Sequence, residues 1–326
     1  MSAGARAVWQ DGRVATVDVV AERVARIVIE PSRPVPVDAG AHVDIALTIG
    51  GSREVRSYSI LQAAPDGSSV TLSVLLTEAS RGGSAAMHAL EPGDRVRMTQ
   101  PLQHFPLSYS AARYELLAGG IGITAIAPMA RQLRETHRDY HLLYVGRARS
   151  RMPYADELRE EHGDRITILT RSDGGLQVDQ WVESTTPGAD LYMCGPIRLM
   201  SEVRAAWLAA GRSIAALRTE TFGSSGWFSP TPFEVRVPRL GLTVTVPANT
   251  TILEALERAG ADVMSDCRRG ECGLCEMRVR SLSGDIDHRD VFYSERQKDA
   301  RSKLCACVSR VVPDTRGVAR ICVDMS

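Results

Sequence analysis

The chain has 326 residues, is 44% hydrophobic and 24% charged, and balances 39 basic against 39 acidic side chains for a net charge of zero. That length calls for two or three domains, and the composition is that of an ordinary globular protein. Zero net charge gives no electrostatic basis for binding nucleic acid or an anionic membrane surface. With no apolar leader and no long apolar run, the chain is expected to be neither secreted nor membrane-spanning. Five of the seven cysteines fall between residues 267 and 307. Such clustering fits metal ligands in a reducing cytoplasm better than a disulfide scaffold.

Over residues 1–108, short alternating runs recur at 14–19, 24–29, 43–49, 55–61, 70–77 and 95–99, separated by turn residues such as Gly50-Gly51 and Pro65-Asp66-Gly67. This rhythm predicts a small antiparallel β-barrel or sandwich. Two segments within it carry chemistry. Arg56-Ser57-Tyr58-Ser59-Ile60 lies on a strand, and Arg81-Gly82-Gly83-Ser84 leads into a helical stretch through His88. Arginine offers phosphate a bidentate donor, and a Gly-Gly helix start presents bare N–H groups to an anion. Tyr58 is a flat partner for an isoalloxazine ring. Taken singly, Arg56 reads as a solvated strand charge and Gly82-Gly83 as a turn. His88 and His104 read as structural or surface residues.

Over residues 109–225 the pattern changes to alternating strands and helices. Strands are expected at 114–118, 140–145, 166–170 and 191–194, and helices at 125–136 and 197–210. Parallel strands with crossover helices predict a Rossmann-like α/β layer with its ligand at the carboxyl ends of the strands. Gly119-Gly120-Ile121-Gly122 sits at such an end and opens a helix, where a pyrophosphate is best received. Cys194-Gly195-Pro196 ends another strand, and its backbone could approach a nicotinamide closely. On its own Cys194 reads as a small buried apolar residue.

Residues 226–231 read as a linker. Residues 232–326 begin with strands at 233–237 and 242–246 and a helix at 251–259 stopped by Gly260. Then comes Cys267-Arg-Arg-Gly-Glu-Cys272-Gly-Leu-Cys275, followed later by Cys305-Ala-Cys307. Three cysteines spaced by four and then two residues, with a distant fourth, match plant-type ligation of a [2Fe-2S] cluster. Zinc sites use more symmetric spacings, often with histidine, and this loop contains none. Gly270 and Gly273 permit the turns that wrap a backbone around one small anionic object. Periodicity does not choose between Cys305 and Cys307 as the fourth ligand, because strand residues two apart share a face.

Together, the R-x-Y-S strand with its G-G-S helix start and the G-G-x-G-I-T loop with Y-x-C-G-P resemble the ferredoxin–NADP reductase superfamily. The order flavin, nicotinamide, ferredoxin resembles the phthalate dioxygenase reductase family, which includes the reductases of carnitine monooxygenase and vanillate demethylase. The likeness covers nearly the full chain and extends to Asp287-His-Arg-Asp290 and Cys307-Val-Ser-Arg310, although the stretch from Cys275 to Asp287 is about two residues longer than the family pattern. It implies a flavin β-barrel, a Rossmann-like nicotinamide domain and an α+β ferredoxin domain of β-grasp type. It implies flavin contacts from Arg56, Tyr58, Ser59, Ile60, Arg81, Gly82, Gly83 and Ser84. Gly120, Gly122, Ile123 and Thr124 would meet the cofactor and flavin edge, Cys194, Gly195 and Pro196 the nicotinamide, and Phe222 the flavin face. Cys267, Cys272, Cys275 and Cys307 would hold the cluster, with His288 structural beside its loop.

The expected cofactors are FMN rather than FAD, the [2Fe-2S] cluster, and NADH. NADPH stays open because Arg147, Arg149 and Arg151 follow the 140–145 strand. The expected activity is electron transfer from NAD(P)H through FMN and the cluster to an oxygenase, Rieske-type first and cytochrome P450 second. A non-catalytic iron–sulfur redox sensor is the reading from another class. The protein is expected to be a cytoplasmic monomer with no nucleic-acid or membrane partner.

Overall fold

The computed structural model describes residues 7–77, 82–222, 228 and 230–325. It separates into two compact units, one of residues 1–195 with 202–220 and one of 196–201 with 221–326.

The first unit opens with strands β1 (Trp9–Ala21), β2 (Val24–Pro31), β3 (Ala41–Ile49), β4 (Ser52–Ala63), β5 (Val70–Leu75), β6 (Arg95–Thr99) and β7 (Leu102–Gln103), with helix α1 (Gly83–His88) between β5 and β6. The pairing order β4-β5-β2-β1-β6-β3 closes when β3 returns to β4, giving an antiparallel six-stranded barrel with β7 added to β3. Period-two patterning drives the closure: Ala25, Ile27 and Ile29 of β2 point inward with Val43, Ile45, Leu72 and Met98. Ile49 pairs with Ser52 across a two-residue hairpin loop. Gly50 and Gly51 both have positive φ, 58° and 81°, as the tightest hairpin turns require.

A parallel sheet follows in the same unit. Its strands are β8 (Arg113–Gly119), β9 (Asp139–Gly146), β10 (Ile166–Thr170), β11 (Asp190–Cys194) and β12 (Leu217–Glu220), in the order β10-β9-β8-β11-β12. The intervening helices are α2 (Ile123–Glu135), α3 (Ala155–His162), α4 (Val178–Ser184) and α5 (Ile197–Ala209). All five residues of β11 are buried, as are all but the first of β8, because a central parallel strand is covered on both faces. The strand order reverses between β8 and β11, so the chain ends of these neighbours form the crevice where open α/β sheets take ligands.

The barrel packs on this sheet through specific contacts. Ser59 donates to Glu220, Ser73 and Tyr154 share a 2.5 Å hydrogen bond, and Arg131 Nη1 donates to the Leu61 carbonyl.

The second unit carries β13 (Phe233–Val237), β14 (Leu242–Val246), α6 (Ile252–Arg258), β15 (Glu276–Ser283), β16 (Asp285–Asp287), α7 (Glu295–Asp299), β17 (Lys303–Cys305), β18 (Arg310–Val312) and β19 (Arg320–Met325). The five-stranded sheet runs β14-β13-β19-β15-β17, with β13 parallel to the last strand β19, while β16 and β18 form a separate ribbon. This is the β-grasp arrangement. Helix α6 starts with a reciprocal cap: the Thr251 hydroxyl accepts from the Glu254 N–H, and the Glu254 carboxylate accepts from the Thr251 N–H. Its Ile252, Leu253 and Leu256 enter the core with Val235, Met277 and Val323.

Candidate functional site: two cofactor cradles and a cysteine loop

On β4, Arg56 and Tyr58 alternate with Ser57 and Ser59. The Arg56 side chain is mostly buried, and Nη1 donates to the Val55 carbonyl at 2.8 Å and meets Glu54 Oε2 at 3.3 Å. Its stem crosses the start of α1. A Cβ on Gly83 would lie 2.9 Å from Arg56 Cγ and 3.2 Å from Nε, so glycine lets guanidinium and helix start meet. Gly82 has φ +88° and its Cβ would strike Ile49 at 2.3 Å. Ser84 Oγ lies 3.3 Å from both the Thr77 N and Oγ1. Arg56, Gly82, Gly83 and Ser84 are thus gathered around one short turn, while Arg81 lies outside the described residues.

Tyr58 stands opposite Val43, and burial pushes its phenol up, with Arg56 opposing. Ile60 belongs to the barrel core. Ser59 is buried and donates to Glu220, also buried, across 161 positions of sequence. Glu220 escaped the sequence reading, although it stands two residues before Phe222. Phe222 itself is half-buried and belongs to the second unit.

At the crevice, the two predicted loops meet backbone to backbone. A Cβ on Gly122 would sit 2.1 Å from the Cys194 carbonyl oxygen, and one on Gly195 3.0 Å from Gly119 Cα. Gly120 takes φ +55° in a single 3₁₀ turn before Ile123 starts α2. The buried Thr124 ties the turn by donating to the Ile121 carbonyl at 3.0 Å. Cys194 and Ile123 are buried, Gly195 is half-buried and Pro196 is exposed. Gly119, Gly122, Cys194 and Gly195 therefore share one place, a narrow backbone-lined floor at the reversal of strand order, where α2 starts.

The cysteine loop has the donor set of an anionic metal cluster. The N–H groups of Arg269, Glu271 and Cys272 each point at Cys267 Sγ from 3.4 Å. The Cys307 thiol beside it, joined by these N–H groups, holds the Cys267 thiol down to about 4 despite its burial. Cys275 is held at about 3 by the Cys305 and Cys307 thiols. Burial pushes Cys272 up, and the thiols they serve push Cys305 and Cys307 up. Cys307 thus touches both Cys267 and Cys275, whereas Cys305 touches Cys275 alone among the loop cysteines that hydrogen-bond it. Among the described residues no His, Cys, Asp or Glu group of three or more forms a single-ion site.

The loop's glycines are required by its neighbours. At Gly270 a Cβ would lie 2.6 Å from Val308 and 2.9 Å from Asp290 Cα, and at Gly273 2.3 Å from the Phe292 ring. Cys305 ends β17, but Cys307 lies in the turn beyond it, so the shared strand face assumed from the sequence does not exist. His288 is buried, its Nδ1 3.3 Å from Asp290 Oδ1. Asp290 also accepts from the Ser309 hydroxyl and the Tyr293 N–H. Three N–H groups on Cys267, thiols of Cys267 and Cys275 held low, and glycines at the two closest approaches of the loop fit a [2Fe-2S] cluster.

Comparison with known proteins agrees with this construction. A family model described as a 2Fe-2S iron-sulfur cluster binding domain matches residues 235–312. The phthalate dioxygenase reductase of Burkholderia cepacia is 34% identical over 284 residues, 84% of this chain and 85% of that protein. The heme-dependent oxidative N-demethylase beta subunit of Ectopseudomonas mendocina (strain ymp) is 36% identical over 273 residues, 83% of this chain and 85% of its own. A solved phthalate dioxygenase reductase, described as a modular structure for electron transfer from pyridine nucleotides to [2Fe-2S], superposes with a TM-score of 0.74 at 30% identity, covering 97% of this chain and 98% of that one.

A barrel with a flavin-binding fold, a nicotinamide-type parallel sheet and a [2Fe-2S] domain in one chain define an NAD(P)H-dependent flavin iron–sulfur reductase. The chain belongs to the phthalate dioxygenase reductase family. Among the described residues no helix is long and apolar enough to cross a membrane.

Proposed function

We propose that this chain draws electrons from NADH, carries them on FMN and on a [2Fe-2S] cluster held by Cys267, Cys272, Cys275 and Cys307, and delivers them singly to a Rieske-type oxygenase component. The observation that carries this reading is the cysteine loop, with its three N–H donors on Cys267 and Cys307 bonded to two of the other proposed ligands. Residues 1–108 form the flavin domain, 109–225 the nicotinamide domain, 226–231 the linker and 232–326 the ferredoxin domain. The protein works as a cytoplasmic monomer.

When bound, flavin accepts a hydride and the cluster exchanges one electron at a time. The chain's own residues position and tune. Arg56 and the Gly82-Gly83-Ser84 turn supply charge and donors for one terminal phosphate, which favours the compact FMN over FAD. Arg81, Tyr58 and Ile60 complete that cradle. Ser59, fixed by Glu220, presents its hydroxyl at the flavin side of the crevice. Gly120, Gly122, Ile123 and Thr124 shape the floor for the nicotinamide half with Cys194, Gly195 and Pro196, and Phe222 covers the flavin face.

NADH is favoured over NADPH because two of the three arginines after β9, Arg149 and Arg151, are engaged. Arg149 pairs with Asp156, and Arg151 holds Glu22 through Nε at 2.9 Å and Nη2 at 2.5 Å. Neither is offered to a 2′-phosphate.

The similarity to a heme-dependent demethylase subunit favours one second reading, a heme oxygenase such as a cytochrome P450 as the acceptor. Acid-released flavin, NADH against NADPH efficiency, and coupled turnover with candidate oxygenase components test these assignments. FAD as the only flavin, a large NADPH preference, or turnover supported by heme partners alone would each overturn its part.

A further inference from the structure

We propose that Glu271 is a positioning residue for electron transfer from flavin to cluster: its carboxylate ties the cysteine loop to Thr221, the residue that follows β12 and its Glu220. This rests on the reading of the chain as a flavin-to-cluster reductase and adds the residue that joins the cysteine loop to Ser59 through the chain.

Glu271 stands between Gly270 and Cys272, and its backbone and side chain have different partners. The backbone N–H points at Cys267 Sγ from 3.4 Å. The side-chain Oε1 accepts from the Thr221 backbone N–H at 2.7 Å. Thr221 directly follows Glu220, the last residue of β12, and Glu220 Oε2 accepts from the Ser59 hydroxyl at 3.1 Å. Three hydrogen bonds joined by covalent bonds therefore run without a break from Cys267 Sγ to Ser59.

Burial makes each link firm. Thr221 and Glu220 are each 1% exposed, and Ser59 is 7% exposed. An amide N–H that far from water takes its acceptor from the protein, and an ionised carboxylate is a strong one. The charge of Glu271 is balanced where it sits: the Arg269 guanidinium, itself 7% exposed, lies 3.5 Å from Oε2. Each carboxylate oxygen thus has its own partner. Plant-type ligation asks for cysteines at fixed spacing and sets no requirement for a carboxylate at position 271. The carboxylate serves the link to Thr221, while the backbone serves the cluster. Per NADH, two electrons and one proton reach the flavin; the electrons pass singly to the cluster and on to two one-electron acceptors, and the proton goes to water. Glu271 exchanges neither; it holds the route in place.

The holoenzyme tests this by two readouts. Hydrogen exchange at the Thr221 amide should quicken by about tenfold or more in Glu271→Ala and stay within about twofold in Glu271→Gln, whose amide oxygen still accepts. After anaerobic mixing with NADH, Glu271→Ala should bleach its flavin at the wild-type rate. Its reduced-cluster electron paramagnetic resonance signal should grow about tenfold more slowly, and Glu271→Gln should restore the rate. Iron content and the line shape of that signal should stay as in the wild type, because the three donors on Cys267 are backbone groups. Should Glu271→Ala not retain iron, Glu271→Asp, one methylene shorter and still charged, takes its place with the same expected results. A residue that only stabilised the loop would change iron retention and leave the flavin-to-cluster rate alone. An iron-replete variant whose cluster fills as fast as the wild type, or whose Thr221 amide exchanges no faster, would overturn the proposal. So would Glu271→Gln behaving like Glu271→Ala, because charge and not the hydrogen bond would then be at work. If the wild-type flavin bleaches while its cluster stays oxidised, the underlying reading of the electron path fails instead, whatever Glu271 does.

Discussion

Replacing Gly122 by alanine tests whether the crevice floor is as tightly built as its backbone contacts imply. Gly122 has φ −59°, so alanine meets no conformational penalty there. The obstacle is contact alone: the new methyl would lie 2.1 Å from the Cys194 carbonyl oxygen, 2.5 Å from its carbon and 3.0 Å from the Gly195 nitrogen. All three are backbone atoms, so no side chain can swing aside. Relieving the overlap requires the start of α2 and the end of β11 to part by roughly 1 Å, an overpacking cost of about 1–3 kcal/mol. A misplacement of that size beside a hydride path costs up to about 100-fold in rate.

The control is Gly120→Ala. Nothing lies within 4 Å of that Cβ, and the residue has φ +55°, so only the left-handed backbone is penalised, by about 1–2 kcal/mol. The assay is NADH oxidation by ferricyanide at varied NADH, together with urea unfolding. Gly122→Ala should raise KM for NADH and lower kcat by at least about tenfold, while Gly120→Ala changes kcat less than about threefold. A Gly122→Ala protein with wild-type kinetics and stability would refute the claim that these two loops form the nicotinamide floor.

Other expectations follow from individual contacts. Cys307→Ala should lose the cluster's iron and visible absorption while Cys305→Ala keeps them; iron analysis showing the reverse would reassign the fourth ligand. Ser59→Ala removes the 3.1 Å donor to buried Glu220 and should cost about 1–3 kcal/mol and weaken activity with ferricyanide, against an unchanged value if the pair is idle. Glu22→Gln should release Arg151 and improve the efficiency with NADPH a few-fold, read from initial rates; no change would mean that Arg151 does not reach the nucleotide.

Burial, opposed by Glu161 and aided by Arg131, Arg134 and Arg165, holds His162 down at about 4, below its ordinary 6.5. The unfolded chain therefore takes up a proton that the folded one refuses as pH falls from 6.5 towards 4. Stability should drop by about 2 kcal/mol between pH 7 and 5, and His162→Gln should flatten that slope. An unaltered slope in urea titrations would rule His162 out as its source.

Strands with clean alternation could be read directly from the sequence. Phe233–Val237 and Leu242–Val246 match the expected limits, as does Ile166–Thr170. Leu217–Glu220 went unread because Leu-Arg-Thr-Glu carries one apolar residue and is set in place by pairing with β11. Helices α3 and α4 also went unread: Ala-Asp-Glu-Leu-Arg-Glu-Glu-His buries only Ala155, Leu158 and His162, too few to mark a face. Glu220 is chosen by the tertiary fold, which brings Ser59 to it, and no local spacing encodes that meeting. Likewise, periodicity could not separate Cys305 from Cys307 because it presumed one continuous strand, and the strand ends at Cys305. The cysteine spacing and the paired glycine loops were legible because their chemistry requires neighbours in sequence as well as in space.

Anaerobic mixing with NADH, followed by rapid freezing and electron paramagnetic resonance, tests the electron path most directly. The intact protein should develop the signal of a one-electron-reduced [2Fe-2S] cluster as the flavin bleaches, and Cys307→Ala should bleach its flavin without that signal. Flavin reduced by NADH beside a cluster that stays oxidised in the intact protein would contradict the path from nicotinamide through flavin to the cysteine loop.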